Sequence, residues 1–292
     1  MTGTSSEALS RPRRSMLYVP ASNARALEKA RSLPADGFIV DLEDAVLPEA
    51  KVAARAAALQ LIDAGGFGRR EMIVRVNACD SPWAKDDLAA LAEANVPSIL
   101  VPKVSSPEDL HAVFQALGQQ ASKVRIWAMM ETAASILFAR EIAACGVLTG
   151  LVVGTNDLAK ELRCTHPPDR APMQTALQTC VMAARAYGLA AIDGVHIDLH
   201  DDVGFTESCR AGRALGFDGR SLIHPNQIAG ANMAYAPSDV ELDRARRLTA
   251  AHSAAAAQGS AVVVVDGRLV EFLHVREAER LLAQAAAIAA LD

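Results

Sequence analysis

Glu131 is the first residue of this chain whose setting asks for a chemical reason. In "RIWAMMETAAS" the apolar run Ile126 to Met130 leads straight into that carboxylate and then into small residues that read as a helix start. A solvated surface glutamate needs no such lead-in. Comparable placements recur: "IVDLEDA" gathers Asp41, Glu43 and Asp44, "IVRVN" sets Arg75 and Asn77 in an apolar run, "VPKV" carries Lys103, "GTNDLA" carries Asn156 and Asp157, and "LIHPNQ" carries His224. Carboxylates converging on one place repel one another unless a positive charge sits among them. A hard divalent cation meets that need, since Mg²⁺ takes one or two carboxylates and completes its shell with water and substrate oxygen. Glu131 and Asp157 are therefore the expected metal ligands. Histidines and cysteines do not cluster near them, which argues against a soft metal.

Each residue also has a plainer reading. Glu131 taken alone could be a first-turn acid favoured by a helix dipole, and Asp157 an N-cap. The two readings are less plausible jointly than singly. Asp41, Glu43 and Asp44 read equally as a solvated loop and as acceptors for metal-bound water. Arg75 needs an anionic partner, either a substrate oxygen or a structural ion pair with Asp41 or Glu43. His224 reads as a satisfied core histidine or as a catalytic one. Lys103 could be a Schiff-base lysine, a reading that a metal site makes secondary.

The elements that would position these residues alternate. Short β-rich runs are each followed by an Ala- and Leu-rich helical stretch: "SMLYVP", "GFIVDLED", "MIVRVN", "SILVPKV", "RIWAMME", "GLVVGTNDLA", "DGVHIDL" and "GRSLIHP". Eight such units predict an α/β fold, a (β/α)8 TIM-type barrel, in which functional groups collect at the C-terminal strand ends. No Gly-x-Gly-x-x-Gly follows the first strand, which lowers a dinucleotide-binding alternative. The expected organisation is a flexible leader over 1–14, the barrel over 15–236, and a C-terminal helical and hairpin extension over 237–292. In that extension "AVVVVDGRLVEF" predicts a hairpin turning at Asp266 and Gly267.

Composition sets bounds on function. The chain has 292 residues, enough to bury a sizeable core, and a formal net charge of -5 with no dense basic patch, which argues against nucleic acid as a partner. Although 51% of residues are hydrophobic, no apolar run reaches the length of a membrane span. The five cysteines are scattered, with no CxxC pair, and fit a reducing cytoplasm.

Taken in order, "RSMLYVPASN", "GFIVDLEDAV", "IVRVNA", "LVPKV", "METAASI", "GTNDLA", "AIDGVHID" and "ALGFDGRSLIHPNQI" resemble the citrate lyase β-subunit-like family of CoA-ester lyases, within the HpcH/HpaI aldolase and citrate lyase superfamily. The resemblance runs from about Arg14 to Ala286. It implies cleavage of a malyl-, citramalyl- or citryl-CoA type 3-hydroxy-3-carboxyacyl-CoA to an acyl-CoA and a 2-oxo acid, with CoA present as part of the substrate. Glu131 and Asp157 match the family's magnesium ligands, Arg75 its substrate-holding arginine, and Asp41, Glu43 and Asp44 its acidic second-strand motif. The resemblance also implies that an acid of the C-terminal segment, lent by a neighbouring subunit of a homotrimer or dimer of trimers, serves the acid/base step. Here "DGRLVEF" puts Glu271 where related chains carry aspartate, a methylene longer. The first loop, "VPASNARALEKA", lacks the family's common Gly-x-Arg-Pro form and offers Asn23, Arg25 and Lys29 as CoA contacts. Three other functions stay open: a metal-dependent class II 2-oxo acid aldolase, a malyl-CoA-type thioesterase, and a non-catalytic acyl-CoA-binding relative.

Overall fold

The structure, a computed structural model, describes residues 11–94, 96–257 and 263–291. The chain divides into two compact units, one spanning Arg13–Tyr235 and the other containing the residues from Ala236 onward.

In the first unit eight parallel strands close into a barrel in sequence order: β1 (Ser15–Pro20), β2 (Gly37–Asp41), β3 (Glu71–Arg75), β4 (Ser98–Val101), β5 (Arg125–Met130), β6 (Leu148–Val153), β7 (Ala190–Asp193) and β8 (Gly219–Leu222), with β8 pairing back onto β1. Successive side chains on a strand face opposite ways. One set fills the barrel interior as Met16, Ile39, Ile73, Leu100, Trp127, Met129, Val152, Ala190 and Ile192. The other packs under the helices, where Phe38, Val40, Val74, Val101 and Leu151 join the large outer core. Period two therefore carries the inward face up to the strand ends: Met16 leads to Tyr18, Ile39 to Asp41, Ile73 to Arg75, and Trp127 through Met129 to Glu131. Trp127 fits because β6 offers Gly150, where a Cβ would lie 2.2 Å from the indole.

The opposite end of the barrel is closed by residues expected to be a leader. Arg13 and Arg14 are buried, Arg13 pairing with Glu71 at 2.5 Å and lying 5.1 Å from the Trp127 ring, Arg14 forming a fork with Asp36 at 2.7 and 2.8 Å. Buried Glu71 and Asp36 need cations, and these two arginines supply them. Residues 1–10 of the expected leader lie outside the described residues.

A second difference concerns β7. The run "DGVHIDL" was the expected strand, but the ladder is formed by Ala190–Asp193, and the residues from Gly194 to Leu199 form a connection. Where pairing stops, the Asp193 carboxylate accepts from Gly194 N–H at 2.8 Å and from Arg170 at 2.6 Å.

The second unit holds a helix over Asp239–Ala257, an antiparallel hairpin of β9 (Val263–Val265) and β10 (Arg268–Val270), and a helix over Phe272–Ala289. Asp266 and Gly267 both take positive φ, 52° and 73°, as the tight turn requires. Ala245, Leu248, Val270, Val275 and Ala278 form its core. Among the described residues of the chain, no helix is long and apolar enough to cross a membrane.

Candidate active site

A cavity of about 420 Å³ opens at the C-terminal ends of the strands, lined by Tyr18, Asp41, Asp44, Ala45, Arg75, Met129, Glu131, Val153, Gly154, Thr155, Asn156, Asp157, Val195, Ser221 and Ile223. Asp41, Asp44, Arg75, Glu131 and Asp157, which come from four stretches of sequence, are thus brought to one place.

Glu131 follows β5 and is 1% exposed. It precedes Thr132, the residue that caps the next short helix, so it is not a first-turn helix acid. Its Oε1 accepts from the Lys103 N–H at 2.8 Å, while its Oε2 is buried with no hydrogen-bond partner among the described residues. Burial pushes this carboxyl up to about 7, and the facing charge of Asp157 adds to the shift. Lys103 holds its N–H in place from a left-handed backbone, φ 53°, a conformation that costs a non-glycine residue about 1–2 kcal/mol. Gly154, at the end of β6, leaves the room that Glu131 occupies: a Cβ there would lie 2.4 Å from Oε2. Asp157, half-buried, is the third residue of the helix Thr155–Glu161, whose cap position is Gly154.

Among the described residues no group of three or more His, Cys, Asp or Glu could hold a metal ion. A cation here would therefore rest on two carboxylates, Glu131 and Asp157, with water and substrate oxygens completing the shell, which is the habit of Mg²⁺. The orphaned Oε2 is the donor such an ion requires, so the residues present fit the group.

Arg75 ends β3 and is 6% exposed. Its Nε and Nη2 make a fork with Asp41, both at 2.7 Å, while Nη1 lies 2.9 Å from Glu43 and 3.3 Å from Asp44. The structural ion pair weighed for Arg75 exists, and Arg75 lines the cavity as well. The three acids of β2 have separate surroundings. Asp41 also accepts from the N–H groups of Glu43 and Ala45, so its carboxylate is fully engaged. Glu43 is buried and bridges Arg75 to Lys103, whose Nζ is 2.5 Å away. Burial raises its carboxyl above the usual range despite those two cations. Asp44 is exposed and faces the cavity; burial works against ionisation, but its hydrogen bond with Glu43 and the Arg75 and Lys103 charges hold it below the usual range.

Other expected residues lie elsewhere. Asn77 is buried and bonds to Asp87, at 3.1 Å through its N–H and 2.6 Å through its amide. His224 is exposed, its Nδ1 2.7 Å from Asn226, so it is neither a core histidine nor part of the cavity lining. Asn23 caps the helix Ala24–Ala30 by accepting from Ala26 at 3.0 Å, and Arg25 and Lys29 are exposed along an open groove with Glu28, Arg31 and Ser32. Glu271 belongs to the second unit, where it is exposed at the N-cap of Phe272–Ala289 in a capping box with His274. Tyr18, Met129, Thr155, Val195 and Ser221 line the cavity without having been expected there. For Tyr18 and Met129 the signal was available, since each lies two residues from an inward position on its own strand.

The HpcH/HpaI aldolase/citrate lyase family model matches residues 14–225. The (3S)-malyl-CoA thioesterase of Cereibacter sphaeroides (strain ATCC 17025 / ATH 2.4.3) is 49% identical over 279 residues, covering 96% of each chain. Citrate lyase subunit beta of Escherichia coli (strain K12) is 34% identical over 283 residues, covering 94% of each. Among solved structures, CitE from Mycobacterium tuberculosis in complex with magnesium, acetoacetate and coenzyme A superposes with a TM-score of 0.78 at 32% identity, over 95% of this chain and 99% of that one. Motif order, barrel and these likenesses agree: the chain belongs to the HpcH/HpaI aldolase/citrate lyase family and is an enzyme of the citrate lyase β-subunit type.

Proposed function

We propose that this enzyme is a Mg²⁺-dependent carbon–carbon lyase of a malyl-CoA-type 3-carboxy-3-hydroxyacyl-CoA, releasing an acyl-CoA and a 2-oxo acid. The observation that carries the reading is the buried, unpartnered Oε2 of Glu131 in a cavity it shares with Asp157 and Arg75. The substrate class is supported by the thioesterase relative's name, and the metal and CoA by the CitE complex.

Glu131 and Asp157 hold the cation, which when bound supplies Lewis acidity toward the substrate's carboxylate and hydroxyl. Loss of the hydroxyl proton to the Glu271 carboxylate turns the C–O bond into the carbonyl of the 2-oxo acid and leaves that same proton available for the α-carbon, and the adjacent carbon–carbon bond breaks. Its electron pair passes into the thioester, leaving charge on the thioester oxygen. Arg75, held rigid by Asp41, faces that charge with no reorganisation to undergo. Protonation of the α-carbon completes the acyl-CoA. Glu271, lent by a neighbouring copy in a trimer or dimer of trimers, serves that proton transfer, and Arg25 and Lys29 contact the CoA phosphates with the Asn23 amide as a further donor. The enzyme works in the cytoplasm, where its five cysteines stay reduced.

A second reading, hydrolysis of the same thioester to a hydroxy acid and free CoA, is favoured by the 49% identity to a malyl-CoA thioesterase. Mass spectrometry of products from (3S)-malyl-CoA with Mg²⁺ separates the two. Acetyl-CoA with glyoxylate supports the lyase; malate with free CoA supports the hydrolase. Failure to consume any thioester of a panel carrying malyl, methylmalyl, citramalyl and citryl groups would refute both.

A further inference from the structure

Two hydrogen-bond donors at the mouth of the barrel converge on an atom that is a poor acceptor. The Tyr18 hydroxyl lies 3.9 Å from Met129 Sδ, and Arg75 Nη1 lies 3.8 Å from the same sulfur. The Arg75 guanidinium stacks 4.9 Å above the Tyr18 ring, so the two donors are fixed relative to each other. All three residues line the cavity. A thioether accepts hydrogen bonds only weakly, and Met is unbranched with three rotatable bonds, so it can yield its place. Among the described residues, Met129 Sδ is the one acceptor the Tyr18 hydroxyl meets.

Position in the barrel says which substrate atom belongs at that point. Tyr18 and Arg75 stand on β1 and β3, on either side of β2, whereas Glu131 and Asp157 follow β5 and β6 across the mouth. The hydroxy-carboxylate end of the substrate is drawn to the two carboxylates and their cation. The thioester end is left for the opposite side, and it is there that the electron pair of the broken bond arrives. Burial raises the Tyr18 phenol well above its ordinary range, with the Arg75 charge only partly offsetting it, so the group remains a donor at neutral pH.

We infer that the Tyr18 hydroxyl is a second oxyanion donor beside Arg75, binding the thioester oxygen as enolate charge develops while Met129 moves aside. The inference rests on the proposed lyase function. Removing one donor of this kind typically lowers kcat by about 10²–10³-fold.

The test is Tyr18→Phe, which keeps the ring, its stacking and its volume, assayed with (3S)-malyl-CoA at saturating Mg²⁺. The expected result is a kcat lower by about 100-fold, with KM within a few-fold of wild type and the thermal midpoint unchanged. A Tyr18→Phe kcat equal to that of an active wild type would overturn the inference and leave the lyase function standing. A raised KM with unchanged kcat would overturn it too, since it would assign the hydroxyl to ground-state binding alone. A wild type that turns over no thioester would remove the proposed function first, and with it the oxyanion this hydroxyl is assigned.

Discussion

Gly154→Ala isolates the geometry of the proposed metal site from its chemistry, because it removes no donor and adds one methyl group. The backbone permits it: Gly154 has φ -97° and ψ 81°, outside the region reserved for glycine. The obstacle is space. The new Cβ would lie 2.4 Å from Glu131 Oε2 and 2.6 Å from Glu131 Cβ, also 2.9 Å from the Met129 methyl. Ordinary contact begins at 3.4 Å, so the carboxylate must withdraw by about 1 Å, a displacement that costs on the order of 10²-fold in rate. Overpacking of this size also destabilises by about 1–3 kcal/mol. Expected results are a Mg²⁺ affinity lower by about 10–100-fold in calorimetric titration, a comparable loss of kcat/KM at fixed Mg²⁺, and a modest fall in the urea midpoint. A variant with wild-type Mg²⁺ affinity and rate would refute the reasoning, because Oε2 could not then be the atom that faces the cation.

Asp41→Asn removes one charge from the buried fork with Arg75, and breaking a buried pair on one side costs about 3–5 kcal/mol; urea denaturation should show that loss, and an unchanged midpoint would contradict it. Glu271→Gln keeps an acceptor for the helix cap but cannot transfer a proton, so activity should be lost with no change in melting, while Glu271→Asp should retain part of it. Equal rates in all three proteins would remove Glu271 from the mechanism. Burial pushes the Cys180 thiol up to about 12 and raises those of Cys209 and Cys79 as well, but Cys180 and Cys209 are buried whereas Cys79 is exposed to reagent. A disulfide reagent at pH 8 should therefore label Cys79 in the folded protein and reach Cys180 and Cys209 only after denaturation; rapid labelling of all five would contradict the barrel packing.

The barrel was legible because each unit repeats the same local message, an apolar strand with period two and then an amphipathic helix. Glu131, Asp157 and Arg75 stood out for a related reason: each interrupts an apolar run at or beside a strand end, where a charge must have a partner. What the sequence could not convey was division of labour among neighbours. Asp41, Glu43 and Asp44 are near-equivalent as letters, yet one is locked by Arg75 and two main-chain N–H groups, one bridges two cations, and one faces the cavity. Tyr18 and Met129 were missed because they look like ordinary strand residues, and only the strand alternation, followed upward from Met16 and Trp127, directs them to the mouth. Arg13 and Arg14 misled in the other direction. Their polar neighbours suggested a solvated leader, while their partners Glu71 and Asp36 lie 58 and 22 residues further along the chain.

Charge balance ties these residues to one requirement. Asp41, Glu43, Asp44, Glu131 and Asp157 set five carboxylates at or behind the mouth, against the cations Arg75, Lys103 and Lys51, the last bonded at 2.8 and 2.7 Å to the carbonyls of Leu42 and Glu43. With all five ionised, as cation binding would require, the surplus is two negative charges. Its effect is concentrated on Glu131, whose buried carboxyl meets a main-chain N–H, Asp157's charge and the more distant Arg75 charge, but no cationic side chain at bonding distance among the described residues. The acids nearest Arg75 are already compensated, so the unmet demand lies on the β5 and β6 side. One divalent ion there would match that surplus in sign and amount. A monovalent occupant would leave Glu131 and Asp157 in competition for a single charge. Binding of Mg²⁺ should for that reason be measurably favourable before any substrate is added, with the substrate carboxylate then arriving at a site whose net charge no longer opposes it.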